Sequence, residues 1–277
     1  MTRVAAVQTS SQLRDVAGNL AAVERWTRQA ADRGAQLVAF PECALTGYRY
    51  ESTQDVTADA QPIPGPATDQ LIAVAGDLGV HMVVGLLERH DDRLFNTAVL
   101  VGPGGLLSVY RKTHLPFQAV DRFVSPGDNA FEVVDTAVGR LGMLICFDLR
   151  FPEPARCLAL AGAQVIVNLT NLPPAGAPQP DFMFATRAAE NRVWLISASR
   201  VGVEGGVPYI GRSAIVAPDG TRVAEAGSHD EELLVADIDP SAADSKDLIV
   251  DPGVYEMQLF GARRPDLYAR LTQGPRP

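Results

Sequence analysis

The sequence predicts an α/β fold, with helices covering a sheet. Two observations predict it. Apolar runs of strand length alternate with segments of helical periodicity, and Gly or Pro marks the boundaries between them. The composition is that of a folded chain, with 47% of the 277 residues hydrophobic and 21% charged. A chain of this length can bury a large core.

The elements follow in order. Val4-Ala5-Ala6-Val7 reads as a short buried strand. Val16, Leu20, Val23, Trp26 and Ala30 recur at helical spacing, which predicts a helix over 16–33 closed by Gly34. Residues 37–40 form a second strand, stopped by Pro41. Strand, helix and strand in that order imply a crossover connection. Residues 48–66 are polar and rich in Pro and Gly, and read as a surface loop. A helix over 68–78 ends before Gly79, and strands follow at 81–87, 95–101 and 106–110. Gly102-Pro103-Gly104-Gly105 is the turn between the last two. Next come a strand at 138–145, a helix at 154–161 closed by Gly162, and a strand at 165–167. A Pro-rich loop at 172–180 leads to a helix at 182–191 and a strand at 194–198. The last elements are strands at 214–216 and 233–238, the turn Pro218-Asp219-Gly220, and a short helix begun by Asp239-Pro240. No linker or repeat interrupts them, so 1–277 reads as one domain. The tail from about 261 is expected to pack outside that core.

Charge and cysteine usage exclude several function classes. The net charge is −9 and the basic residues are scattered, so no positive face is available for a nucleic-acid backbone. Cys43, Cys146 and Cys157 are odd in number and widely spaced, which argues against a disulfide framework and against structural zinc. The start, Met1-Thr2-Arg3-Val4, lacks the pattern of a signal peptide, and no uncharged stretch reaches membrane-spanning length. A cytoplasmic protein with reduced thiols and no membrane partner is expected. HExxH, P-loop, GxGxxG and GxSxG patterns are all missing.

Three polar residues each follow a predicted strand: Glu42 after 37–40, Lys112 after 106–110, and Cys146 after 138–145. Sites of α/β sheets gather beyond the carboxyl ends of strands. If those strands are neighbours, a carboxylate, an ammonium and a thiol converge. The set suits acyl chemistry. A neutral thiol attacks poorly and needs a base, which Glu42 could be if burial raises its pKa. The attacked carbonyl develops negative charge, which Lys112 and the backbone N–H of Phe147 could stabilise. Taken singly, each residue has a plainer reading: a buried Cys is usually a small hydrophobe, and Glu and Lys are usually solvated or paired.

Longer strings around these residues resemble the nitrilase superfamily of carbon–nitrogen hydrolases. They are Phe40-Pro41-Glu42-Cys43-Ala44-Leu45-Thr46-Gly47-Tyr48, Tyr110-Arg111-Lys112-Thr113-His114-Leu115 and Cys146-Phe147-Asp148-Leu149-Arg150-Phe151-Pro152-Glu153. Arg187-Ala188-Ala189-Glu190-Asn191-Arg192, Gly211-Arg212-Ser213 and Arg263-Arg264-Pro265-Asp266-Leu267-Tyr268 match further along. The resemblance implies a four-layer α-β-β-α sandwich, paired through its outer helices into a homodimer or larger homo-oligomer, with the tail against a partner subunit. It implies a Glu42–Lys112–Cys146 triad acting on a small-molecule amide, with no metal and no organic cofactor. One position departs from the pattern. Val120 aligns with the family's second glutamate; Asp121, the nearest acid, one residue along, either substitutes for it as the second acid through a local shift or only pairs with Arg122.

The remaining candidates carry two readings each. His114, two residues beyond Lys112, could pair with Cys146 as a dyad or bond to a neighbouring acid or to backbone. Asn168, Thr170 and Asn171 follow the strand at 165–167 and either line the pocket or cap a turn. Tyr48 could line the pocket mouth. Arg150 and Glu153 read as an ion pair bracing the turn after Cys146, and Cys43 and Cys157 as core. A small aliphatic amide or the ω-amide of a carboxylic acid is the first expectation for substrate. A nitrile or an N-carbamoyl amide comes next. An acyltransferase that passes the thioester to an amine, and a non-catalytic binding protein on the same scaffold, are the rival classes.

Overall fold

The computed structural model describes residues 1–128 and 131–274. The first half runs β1 (Thr2–Gln8), α1 (Val16–Asp32), β2 (Leu37–Ala39), α2 (Thr53–Asp59), α3 (Pro66–Leu78), β3 (His81–His90), β4 (Arg93–Gly102) and β5 (Gly105–Arg111). The second half runs β6 (Val133–Thr136), β7 (Gly139–Ile145), α4 (Pro152–Leu160), β8 (Val165–Thr170), α5 (Phe184–Asn191) and β9 (Trp194–Ser199). It continues through β10 (Val201–Glu204), β11 (Val207–Ile210), β12 (Ala214–Val216), β13 (Arg222–Glu225) and β14 (Glu232–Ile238). A hairpin of β15 (Leu248–Asp251) and β16 (Tyr255–Met257) precedes the tail.

Two six-stranded sheets stack, ordered β14-β1-β2-β3-β4-β5 and β13-β12-β9-β8-β7-β6. Each has a parallel centre, β1-β2-β3 and β7-β8-β9, with antiparallel strands at its flanks. The pleat assigns the faces. In β1, Val4 and Ala6 point into the layer between the sheets, while Ala5 and Val7 meet the helices α1 and α3. Strands covered on both sides explain the unbroken apolar runs that the sequence shows. Beyond the second sheet, Ala155 and Leu158 of α4 and Phe184 and Ala188 of α5 close the other side. The result is an α-β-β-α sandwich. Among the described residues no helix is long and apolar enough to cross a membrane.

Helix ends obey local chemistry. The Asp15 carboxylate caps α1 by accepting the Gly18 N–H at 2.9 Å. α3 opens on Pro66 and closes on Gly79, whose φ of 66° is left-handed. The loop expected at 48–66 contains α2, capped by Ser52 and burying only Val56, so it has no apolar stripe for a periodicity argument to find. β6, β10, β11 and β13 are also absent from the sequence reading, being four-residue strands. The Pro-rich segment at 172–180 carries a tight turn, Pro174–Gly176, and a wide turn, Gln179–Met183, that leads into α5.

Candidate active site

From the sequence, Glu42, Lys112 and Cys146 converge if the strands that they follow are neighbours. Those strands are not neighbours. Glu42 and Lys112 leave β2 and β5 of the first sheet, with β3 and β4 between them, while Cys146 leaves β7 of the second. The meeting is made across the sandwich. Glu42 reaches it because the chain after β2 crosses directly over β3 at Gly85. A Cβ there would lie 2.5 Å from Pro41 O and from Cys43 N, and 2.8 Å from Glu42 Cα. Only glycine allows that approach.

Around Glu42 the side chains form one buried polar cluster. Lys112 Nζ donates to Glu42 Oε1 and to Asp121 Oδ2, both at 2.6 Å. Asn96 Nδ2 forks between the same two carboxylates, at 2.8 Å from Glu42 Oε1 and 3.0 Å from Asp121 Oδ1. Tyr48 OH donates to Asp121 Oδ2 at 2.6 Å, and its ring lies under the Lys112 ammonium. Glu42, Lys112, Asp121, Asn96 and Tyr48 are all buried. Asp121 enters this cluster by a local kink. Ala119 takes a left-handed φ of 44°, and the short turn Ala119–Arg122 then sends Val120 into an apolar cluster and Asp121 to the lysine. Asn96 escaped the sequence reading, although one amide inside the apolar run 95–101 is the kind of buried polar group that needs partners.

Cys146 begins a tight turn, Cys146–Arg150, with a left-handed φ of 47°. Such a backbone is strained for a residue with a Cβ and persists only where its surroundings hold it. Asp148 does much of the holding. Its carboxylate accepts from the Ile145 N–H at 3.1 Å, Tyr110 OH at 2.8 Å, Thr113 Oγ1 at 2.9 Å and the His114 N–H at 2.9 Å. One carboxylate thus ties the lysine segment to the cysteine turn. Arg187 braces the other side, donating to the carbonyls of Leu149 and Arg150. The expected Arg150–Glu153 pair is not formed; Arg150 donates instead to the Ala175 carbonyl at 3.1 Å.

The electrostatics follow from burial. Burial pushes the Cys146 thiol well above its ordinary pKa, Glu42 adds to the rise, and Lys112 and the Asn171 backbone N–H oppose it. Burial thus favours the neutral thiol at rest. Burial also raises the Glu42 carboxyl, against the pull of Lys112, with the charge of Asp121 adding to the rise. Burial alone would depress the Lys112 ammonium, but Asp121, Glu42 and Cys146 hold it well above its usual value. Glu42 Oε1 is occupied by Lys112 and Asn96, whereas the buried Oε2 has no hydrogen-bond partner.

The other candidates separate. Asn171 Nδ2 donates to the Glu42 carbonyl at 2.9 Å, which places Asn171 between Glu42 and Cys146. Asn168 and Thr170 neither line the cavity beside Cys146 nor cap a turn. β8 runs to Thr170, and the two residues bond across it to Ser197 at 3.2 Å and Ser199 at 2.6 Å. His114 turns to Asp148, with Nδ1 at 2.8 Å from Oδ1, and stacks on Phe151 at 4.1 Å between ring centres. Its ring is thus committed away from a dyad with Cys146. Cys43 is buried, with Sγ 3.5 Å from Asn96 Oδ1. Cys157 is exposed rather than core, because α4 buries Pro154, Ala155, Leu158 and Ala159 on its opposite face. Among the described residues no group of His, Cys, Asp and Glu has an arrangement that could hold a metal ion.

A cavity of about 140 Å³ opens beside Cys146, with Phe147, Arg150, Leu172 and Gln179 in its wall. A larger hollow of about 530 Å³ lies between α1 and α3 on the outer face, remote from these groups. The smaller one is the candidate site, because Cys146 lines it.

Comparison with known proteins gives the family. Residues 3–246 match the carbon–nitrogen hydrolase family model. The chain is 42% identical over 240 residues to a nitrilase of Pyrococcus abyssi, covering 86% of this chain and 90% of that one. It is 32% identical over 267 residues to an omega-amidase of Homo sapiens, covering 90% of each. Among solved structures, a nitrilase-superfamily amidase of Nesterenkonia superposes with a TM-score of 0.80 at 28% identity, over 98% of this chain and 97% of that one. A variant of that amidase, with a TM-score of 0.81 at 28% identity over 98% of this chain and 100% of that one, carries acrylamide added to its active-site cysteine. The chain belongs to the carbon–nitrogen hydrolase family, within the nitrilase superfamily of enzymes.

Proposed function

We propose that this enzyme hydrolyses a short amide through a thioester on Cys146, releasing ammonia or an amine and a carboxylic acid. One observation carries the proposal: Glu42 has one oxygen fixed by Lys112 and Asn96 and the other buried without a partner, within electrostatic reach of a neutral thiol. That second oxygen is the base. It takes the thiol proton as Sγ attacks the amide carbon. The Lys112 ammonium and the Phe147 N–H, which has no partner within its own turn, receive the oxyanion. Glu42 passes the proton to the nitrogen, the C–N bond breaks, and the acyl group stays on sulfur. Water then gives its proton to Glu42 and adds to the thioester. The acid leaves, and the proton returns to Cys146. Asp121 and Tyr48 act as positioning residues that pin Lys112.

An amide is favoured over a nitrile because the amidase that superposes over 98% of this chain has been captured with amide-derived adducts on its cysteine. The chemistry needs a reduced thiol, which suits the cytoplasmic location read from the sequence. Exposed Leu267 and Leu271 in the tail suit a contact with a second copy of the chain.

The test is ammonia release over a panel of short amides. The native enzyme is expected to release ammonia, and Cys146→Ala to lose roughly 10⁴-fold or more of that rate. Full activity in Cys146→Ala would overturn the proposal.

A further inference from the structure

The cavity beside Cys146 contains a buried polar side chain that neither the fold nor the proposed cycle uses. Gln179 opens the wide turn Gln179–Met183 and is flanked by Pro178 and Pro180, which restrict its backbone on both sides. It lines the cavity, is only 1% exposed, and its Oε1 has no hydrogen-bond partner. An unmet buried acceptor is costly, and a ligand that supplies the missing donor recovers that cost.

We infer that Gln179 selects the acyl group by hydrogen bonding to a second carboxamide at its far end, so that the preferred substrates are short diamides. The inference rests on reading Cys146 as the acylated residue. Alternatives for the distal group use less of the same wall. An alkyl end gives Gln179 nothing. A carboxylate can pair with Arg150 but, having no donor of its own, leaves Gln179 Oε1 unmet. An ammonium offers a donor but faces the Arg150 guanidinium, which lines the same cavity. A carboxamide carries both donor and acceptor, so it satisfies Gln179 in either orientation of the glutamine amide. Size points the same way: about 140 Å³ is well below the roughly 300–1,000 Å³ of sites for drug-sized ligands, and limits the acyl chain to a few carbons.

The experiment compares succinamide, succinamate and butyramide on the native enzyme and on Gln179→Leu. The native enzyme is expected to favour succinamide. Gln179→Leu should lower the succinamide-to-butyramide ratio of kcat/KM at least about tenfold, chiefly through KM. Calorimetric binding of the same three compounds to Cys146→Ala and to Cys146→Ala/Gln179→Leu gives a readout free of turnover. There, the second substitution should weaken succinamide about tenfold or more relative to butyramide. An unchanged ratio, a selective loss on succinamate, or an equal loss on all three compounds overturns the inference. If the native enzyme releases no ammonia from any of them, the hydrolase reading fails, and the binding comparison still decides the role of Gln179.

Discussion

Replacing Lys112 by methionine is expected to abolish activity and to cost about 3–5 kcal/mol of stability near neutral pH. For a chain of 277 residues that is a fall in Tm of roughly 5–9 °C. The ammonium is fully buried between Glu42 and Asp121 at 2.6 Å from each, and it is the only cation bonded to either carboxylate among the described residues. Its removal leaves two carboxylates facing each other across Asn96 in a dry site. The loss has a pH signature. Burial already lifts the Glu42 carboxyl, and without the lysine's opposing pull it rises further. A carboxyl with a raised native pKa binds its proton more tightly when folded, so its native state is favoured at low pH. That advantage fades as pH climbs from the unfolded pKa to the native one. The Tm deficit of Lys112→Met should therefore be small near about pH 5 and large near about pH 8. Thermal unfolding at both values checks this. An equal deficit at both would mean that lost packing, and not an unpaired carboxylate, is the cause.

Glu42→Gln is expected to keep the fold and to lower kcat/KM by about 10²–10⁴. Glutamine matches the shape of glutamate, and the change removes one of two buried negative charges that a single lysine must balance. What it removes is the unpartnered oxygen that takes the thiol proton. For the native enzyme, kcat/KM should fall on the acid side with a midpoint above the ~4.3 of an ordinary glutamate, because burial raises that carboxyl. The glutamine variant should show no such limb. A native acid limb retained unchanged in Glu42→Gln would assign it to another group.

The residues at this site differ in how visible they are from sequence. Glu42, Lys112 and Cys146 each stand at the end of an apolar run, where a polar group is conspicuous. How they meet was not visible, because it depends on two sheets stacking and on Gly85 letting the chain after β2 cross over β3. Asp121 was ambiguous because residue counting assigns Val120 to its place. The left-handed turn at Ala119 that exchanges the two is a backbone choice alanine seldom makes. Asn168 and Thr170 were ambiguous because β8 extends three residues beyond its apolar run, and the Asn168 Nδ2 and the Thr170 hydroxyl bond to Ser197 and Ser199 of β9. Asp148 was read only as part of a motif. Its partners come from β5, β7 and the segment after Lys112, a convergence that no local window contains.

The most direct measurement is the intact mass of the enzyme, acid-quenched during turnover of a short amide, with peptide mapping of any adduct. The account predicts a gain of one acyl group, mapped to Cys146 and released by hydroxylamine, and no such gain in Cys146→Ala. Turnover with the acyl group mapped elsewhere, or ammonia release undiminished in Cys146→Ala, would contradict it.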